Sequence, residues 1–441
     1  MSALSRPGTA TGEVGAVVYV VLDPGVPAYG RKGCSVHVQE VLRDLVRRAR
    51  AGGHEVHLVA ARLGGEAPEG LEDVVVHELG RPRADGPAAS ERALVALDAR
   101  AGDLVARLVG EAVAEQATSG GPAPLVYQRY GLWSAAVLER AAAAGATTAL
   151  EVNAPLVEEQ ERHRVLVDRT LAVTTTQRAL RAADVVVAVS AAVATWAREM
   201  AGRDVLVLPN GVDADRFTVT GGPRQRGDAE PLVVGFVGTF RPWHGLEELV
   251  EATAAVARSG DAVRLLLVGD GPTREAVLAR AAAAGVDVEA PGAVAPHEVP
   301  GLLARCDVAA APYPGGQTYF SPLKLVEYLA AGLPVVASAV ADVPSLFRRD
   351  ELLLVPPGDG PALAAALGRL VREPALRARL AARGRAAALE RFGWHEVVGR
   401  TLEAAATGHD ERSARRARAR LPQAPAPTSV RTPAPVGGGR G

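Results

Sequence analysis

Cysteine and lysine are nearly absent from this chain of 441 residues, which has two of each: Cys34 and Cys306, Lys32 and Lys324. Two cysteines so far apart exclude a disulfide-stapled secreted scaffold and fit reduced thiols in a cytosolic protein. No stretch approaches the roughly 18 to 20 apolar residues that a membrane span requires. The opening MSALSRPGTATGEVG lacks the apolar run of a signal peptide. A cytoplasmic chain is therefore expected, with peripheral contact at the inner membrane face left open. The formal charge of −1 gives no global basic field, which argues against a nucleic-acid partner. The loop after the first apolar run holds Gly25, Gly30 and Gly33, but not in GxGxxG spacing, so a dinucleotide fingerprint is missing. Arginine is written almost everywhere else, so the two lysines mark places where a compact ammonium is wanted.

What is present is a regular alternation of short apolar runs and amphipathic stretches. Residues 14–22 read as a strand, 35–51 as a helix and 55–60 as a strand, a βαβ unit that implies a parallel sheet covered by helices. The pattern continues through strands near 74–78, 125–128, 148–152, 185–189 and 205–208. A long helix is expected at 88–117, and a polar one from the EVNAPLVEEQERHR stretch to about 182. A polar, Gly-rich linker at 218–231 separates a second half in which the alternation recurs. The fold class is thus α/β, two Rossmann-like doubly wound domains facing across a cleft. The expected division is a disordered 1–13, a first domain at 14–217, the linker, a second domain at 232–390, a helix at 391–406 and a disordered Arg/Pro/Ala tail at 407–441.

The most informative stretch is 319–338, YFSPLKLVEYLAAGLPVVAS. Ser321 is a good N-cap, Pro322 suits the first helical position, and Gly332 and Pro334 end the helix. Lys324 falls in the first turn, where a cation opposes the helix dipole, so local stability does not account for it. An anion on the free N–H groups of that terminus does, including that of Leu323. Glu327, three residues on, shares the helical face. A cation and a carboxylate beside an anion site suit a nucleotide diphosphate, with phosphates on Lys324 and ribose hydroxyls on Glu327; a surface i,i+3 ion pair is the plain alternative.

LPNGVDADRF (208–217), VGFVGTF…WHGLEELV (234–250), LLLVGDGPTREAV (266–277) and SPLKLVEYLAAGLPVVAS (321–338) follow one another at spacing that resembles the GT-B-fold retaining glycosyltransferases of the "glycosyl transferase group 1" family. The resemblance covers about 14–405. It implies a nucleotide-sugar on the second domain, an acceptor on the first, and a final helix, from FGWHEVV, crossing back to the first domain. By resemblance the diphosphate-proximal positions hold Thr239 and His244, following Gly238. Arg241 lies between them and is expected to act on the leaving phosphate together with Lys324. Glu327 fits the ribose glutamate, Tyr319 occupies the place of a second glutamate, and Gly269 ends a strand near the nucleotide. Asn153 replaces a histidine close to the reacting sugar. Glu151, His37, Lys32 and Gly33 complete the acceptor-side set. Retention implies front-face attack, the leaving phosphate taking the acceptor's proton, with no metal and no cofactor beyond the nucleotide-sugar co-substrate. Asp213-x-Asp215 looks like a metal-binding DxD but belongs to the structural NGVD turn. The expected partners are that donor and a saccharide, lipid-linked or small-molecule acceptor; the oligomeric state is left open. A non-catalytic sugar-nucleotide-binding protein of the same fold is the rival reading.

Overall fold

The computed structural model describes residues 14–213, 215–217, 230–316 and 323–420. Seven strands form the first sheet: β1 (Val17–Val21), β2 (Val56–Ala60), β3 (Val75–Glu78), β4 (Leu125–Arg129), β5 (Thr147–Val152), β6 (Val185–Ala188) and β7 (Leu206–Val207). They lie in the order β3-β2-β1-β4-β5-β6-β7, every pair parallel. The second sheet repeats the scheme with β8 (Leu232–Val237), β9 (Val263–Val268), β10 (Val288–Gly292), β11 (Val308–Ala311), β12 (Val335–Ser338) and β13 (Leu353–Val355), ordered β10-β9-β8-β11-β12-β13. Parallel strands need crossovers, so helices cover both faces and the central strands read as unbroken apolar runs. All five residues of β1 are buried. In each sheet the order reverses beside the first strand, between β1 and β4 and between β8 and β11. At such switch points the loops leaving the strands' carboxyl ends diverge and open a crevice.

Two departures from the sequence expectation have local causes. The polar helix expected to reach residue 182 is two helices, Leu156–His163 and Arg169–Ala182. Asp168 caps the second by accepting from Leu171 N at 2.8 Å, and Glu91 takes the N–H groups of Val167 and Asp168. The break is therefore held by two carboxylates that take its backbone N–H groups. At the other end, the last helix runs through Trp394–Arg420, well past residue 406. Residues 407–420, expected to be a disordered tail, are helical, and Arg412 and Arg416 fasten this part of the helix to the first domain. Arg412 donates to Ala146 O at 2.5 Å and lies 3.1 Å from Asp184, while Arg416 donates to Ala142 O. The remainder of that tail, and the expected disordered 1–13, lie outside the described residues.

The crossing itself rests on a short backbone pairing. Val212 N donates to Phe392 O at 2.7 Å, and Trp394 N returns a bond to Val212 O. Gly211 is required here, since a Cβ on it would stand 2.7 Å from the Trp394 ring. Beyond the pairing, Trp394, Val397, Val398, Leu402 and Ala405 bury themselves in the core beneath β1. Among the described residues no helix is long and apolar enough to cross a membrane.

Candidate active site

The second switch point is built from the loop after β8, the residues after β11 and the helix Leu323–Ala330. Tyr328, buried in that helix, accepts from Val237 N at 2.8 Å and donates to Val237 O, pinning the helix to the end of β8. The loop then folds onto its neighbour: Gly238 N bonds Val268 O and Phe240 N bonds Asp270 O. Gly245 (φ +64°) ends the turn Pro242–His244 so close to β11 that a Cβ would fall 1.6 Å from Pro312 O. Backbone approach of that kind leaves no alternative to glycine.

These constraints present Lys324 to His244. Lys324 Nζ lies 3.0 Å from His244 Nε2, and 5.0 Å and 5.6 Å from the ring centres of Phe236 and Tyr313. His244 Nδ1 meets Thr239 O. A carbonyl only accepts, so Nδ1 carries the proton and Nε2 offers its lone pair to the ammonium. Burial and then the Lys324 charge push His244 down to about 4, which keeps it neutral. Burial likewise pushes Lys324 down to about 8, against the pull of Glu327. Arg241 is exposed and lies over Trp243, 5.5 Å from its centre.

Glu327 does not pair with Lys324, in contrast to the plain alternative reading of that spacing. It faces the other way, into a small cleft with His37, Glu40, Arg216, Leu323 and Trp394. Burial pushes its carboxyl up to about 7; Arg216 and Lys324 oppose this and Glu40 adds to it. Arg216 ties the two halves together, donating to Glu40 Oε1 at 3.1 Å and to Pro296 O. Glu40 and Arg216 were not picked out from the sequence. The available signal was a pair of carboxylates, Glu40 and Asp44, on the helix Gly33–Ala51 among Val38, Val41, Leu42 and Leu45.

On the first domain, Glu151 is buried at the end of β5 and collects partners. His37 Nε2 lies 2.6 Å from Oε1, Asn153 Nδ2 donates to Oε1 at 2.6 Å, Tyr127 OH donates to Oε2 at 2.7 Å, and Arg129 stands at 3.5 Å. Burial alone would raise this carboxyl, but His37, Arg129 and Asn153 together hold it down at about 2. His37 also packs edge-on against Trp394 at 4.8 Å.

Of the residues singled out in the sequence, the structure thus gathers Lys324, His244, Thr239 and Gly238 into one group. It gathers Glu151, His37 and Asn153 into another. Lys32 and Gly33 start the helix Gly33–Ala51, with Lys32 exposed and open space where a Gly33 side chain would stand. Gly269 serves the strand-end turn, its N–H bonding Gly292 O. Asp213 accepts from Asp215 N at 3.0 Å, a turn-forming bond. Tyr319, Ser321 and Pro322 lie outside the described residues.

Comparison with known proteins decides what this arrangement belongs to. The "Glycosyltransferase Family 4" model matches residues 38–216 and the "Glycosyl transferases group 1" model matches 231–373, together most of the chain. The chain belongs to the group 1, family 4-like glycosyltransferases. Among curated glycosyltransferases, it is 34% identical over 222 residues to the phosphatidyl-myo-inositol mannosyltransferase of Mycobacterium leprae, an alignment covering 49% of this chain and 57% of that one. It is 31% identical over 217 residues to the 2-deoxystreptamine glucosyltransferase of Streptomyces kanamyceticus, covering 46% and 54% respectively. The chain thus spans little more than half the length of the curated relatives it matches. Among solved structures, Anabaena HepE in complex with UDP superposes with a TM-score of 0.61 at 20% identity, covering 89% of this chain and 100% of that one. A Rickettsia africae glycosyltransferase superposes with a TM-score of 0.62 at 16% identity, covering 89% and 98%. These likenesses show the GT-B fold.

Proposed function

We propose that this glycosyltransferase moves a sugar from a nucleotide-diphosphate sugar to a saccharide, lipid-linked or small-molecule acceptor, with retention of anomeric configuration. The observation that carries the reading is the Lys324 ammonium, placed at the second switch point by a neutral His244, with Glu327 one helical turn away. In this reading Lys324 and Arg241 stabilise the negative charge that grows on the departing diphosphate, without a metal ion or further cofactor. Glu327 accepts the ribose hydroxyls, and the 238–239 backbone and His244 line the phosphates. The acceptor hydroxyl attacks the anomeric carbon on the face from which the phosphate leaves. The new C–O bond forms as the old one breaks, and the leaving phosphate oxygen takes the hydroxyl proton. The protein's part is to hold donor and acceptor together and to offer prepositioned charge, each such donor contributing roughly 3 kcal/mol of barrier. Asn153 gives one of its two N–H donors to Glu151 and has its carbonyl oxygen to offer a sugar hydroxyl.

A panel of nucleotide-sugars tests this, with thermal shift and nucleotide release read together on the wild type, Lys324→Ala and Glu327→Ala. One nucleotide should stabilise the wild type alone, and release should require an added acceptor. Stabilisation that survives both substitutions would mean that the donor binds elsewhere. Binding without turnover under every acceptor would favour a non-catalytic role.

A further inference from the structure

The other switch point, outside the carboxyl ends of β1 and β4, opens into a cavity of about 1000 Å³, ample for a ligand of several hundred daltons. Its wall carries Arg31, Lys32, Arg62, Arg81 and Arg164 against three carboxylates, Asp23, Asp98 and Glu159. The cations come from four separate segments, so no single helix face explains their convergence. Their side chains are exposed, and among the described residues none is held by a carboxylate, whereas Arg43, Arg178 and Arg305 elsewhere pair with Glu40, Glu139 and Glu289. All three carboxylates have partners of their own. Asp98 is buried and accepts from Ser134 Oγ and from the N–H groups of Ala135 and Ala136, while Asp23 accepts from Gly25 N. Like charges gathered in a concave wall repel one another and focus a positive potential into the space they surround. A neutral sugar does nothing for that field; a multivalent anion satisfies it.

We propose that this cavity binds the acceptor through a phosphate group, so that the acceptor is a phosphorylated molecule rather than a neutral saccharide. The proposal rests on the transferase reading above and assigns the class of its second substrate. The helix Gly33–Ala51 supplies the link: Lys32 at its start lines the cavity, while His37 and Glu40 farther along reach the cleft of Glu327. A phosphate anchored at the cavity wall leaves the rest of the acceptor to extend along that helix toward the donor. Phosphate on a soluble sugar and phosphate in a lipid headgroup share this chemistry.

The test titrates the purified full chain with glucose 6-phosphate, glucose, inorganic phosphate, and vesicles of phosphatidylcholine with or without phosphatidylinositol. Each is repeated on the double variant Arg62→Gln/Arg81→Gln, and binding of the nucleotide panel described above is measured alongside. The expected result is binding of at least one phosphate-bearing probe but not of glucose, weakened by roughly tenfold or more in the double variant and by added salt. Nucleotide binding and the ligand-free melting temperature should not change in that variant. Preference for glucose 6-phosphate over vesicles identifies a soluble acceptor, and the reverse identifies a lipid. Glucose binding as well as glucose 6-phosphate, anion binding indifferent to the double variant, or no anion binding at all overturns the proposal. Failure of every nucleotide of the panel to bind the wild type counts instead against the donor reading, since the cavity's own titrations do not depend on it.

Discussion

Replacing Glu327 by glutamine should make the ligand-free protein more stable and its donor binding worse. The Glu327 carboxyl is raised from 4.5 to about 7 in the folded chain, chiefly by burial. A carboxyl raised in this way contributes stability below its unfolded pKa and loses that contribution as pH climbs through the folded one. The window is therefore about pH 4.5 to 7, and above it the ionised form costs the fold roughly 3 kcal/mol. Glu327→Gln removes that cost, so urea denaturation near pH 8 should show the variant more stable by roughly 2 to 3 kcal/mol. The gain should shrink toward zero near pH 4.5. Donor binding should behave oppositely. The ionised carboxylate is the form that accepts two hydroxyls, so kcat/KM for the nucleotide-sugar should rise with an apparent pKa near 7. It should fall again as Lys324 deprotonates near 8. In Glu327→Gln the lower limb should vanish along with most of the activity. A lower limb that persists in the variant, or a variant less stable than the wild type at pH 8, would refute the assignment of that titration to Glu327.

Glu151→Gln should behave in the reverse sense. Its depressed carboxyl supplies stability above pH 4.5 that disappears toward about 2, so the variant should lose roughly 3 kcal/mol or more at neutral pH by denaturant titration, because His37 and Tyr127 lose their charged partner. Gly245→Ala should destabilise the second domain by at least about 2 kcal/mol, read as an early melting transition, since both its φ and the contact with Pro312 forbid a side chain. Trp394→Ala should cost roughly 3 to 5 kcal/mol through the cavity it leaves between the last helix and the first domain. Limited proteolysis should then cut near residue 393.

Elements whose cause is local were legible in the sequence. Strand β6, Val185–Ala188, falls within the run expected at 185–189, because a short apolar run between turn residues has few other uses. Gly332, with φ at +72°, ends the helix Leu323–Ala330 as its position after the last periodic residue implied. Lys324 and Glu327 were legible as a pair, but their separate directions were not. That depends on His244, eighty positions away, and on Arg216, which comes from the end of the first domain. The break between Leu156–His163 and Arg169–Ala182 was hidden for the same reason: the group that satisfies it is Glu91, on a distant helix. The helical extension to Arg420 was masked by composition. A run of arginines and alanines reads as solvated until Asp184 and two carbonyls of the first domain are seen to receive it.

Two carboxylates in this cleft separate structural from ligand-directed charge on physical grounds. Glu151 and Glu327 are both densely surrounded by protein, and desolvation raises both. Glu151 nevertheless stays ionised, because Tyr127, Asn153, Arg129 and His37 all point at it. Those partners occupy its lone pairs, so it fixes the shape of the cleft and has little left to offer a substrate. Among the described residues, Glu327 receives no comparable hydrogen bond, and Arg216 spends its donors on Glu40 and Pro296. The cost of ionising Glu327 is therefore left for an incoming group to offset. Lys324 stands in the same position with opposite sign, its one hydrogen-bond partner among the described residues being a neutral imidazole. A molecule with hydroxyls at one end and phosphates at the other offsets both costs at once. Neither a free sugar nor inorganic phosphate can do so. The charges of the unliganded cleft thus suit a ligand that brings both groups, as the proposed nucleotide-sugar does.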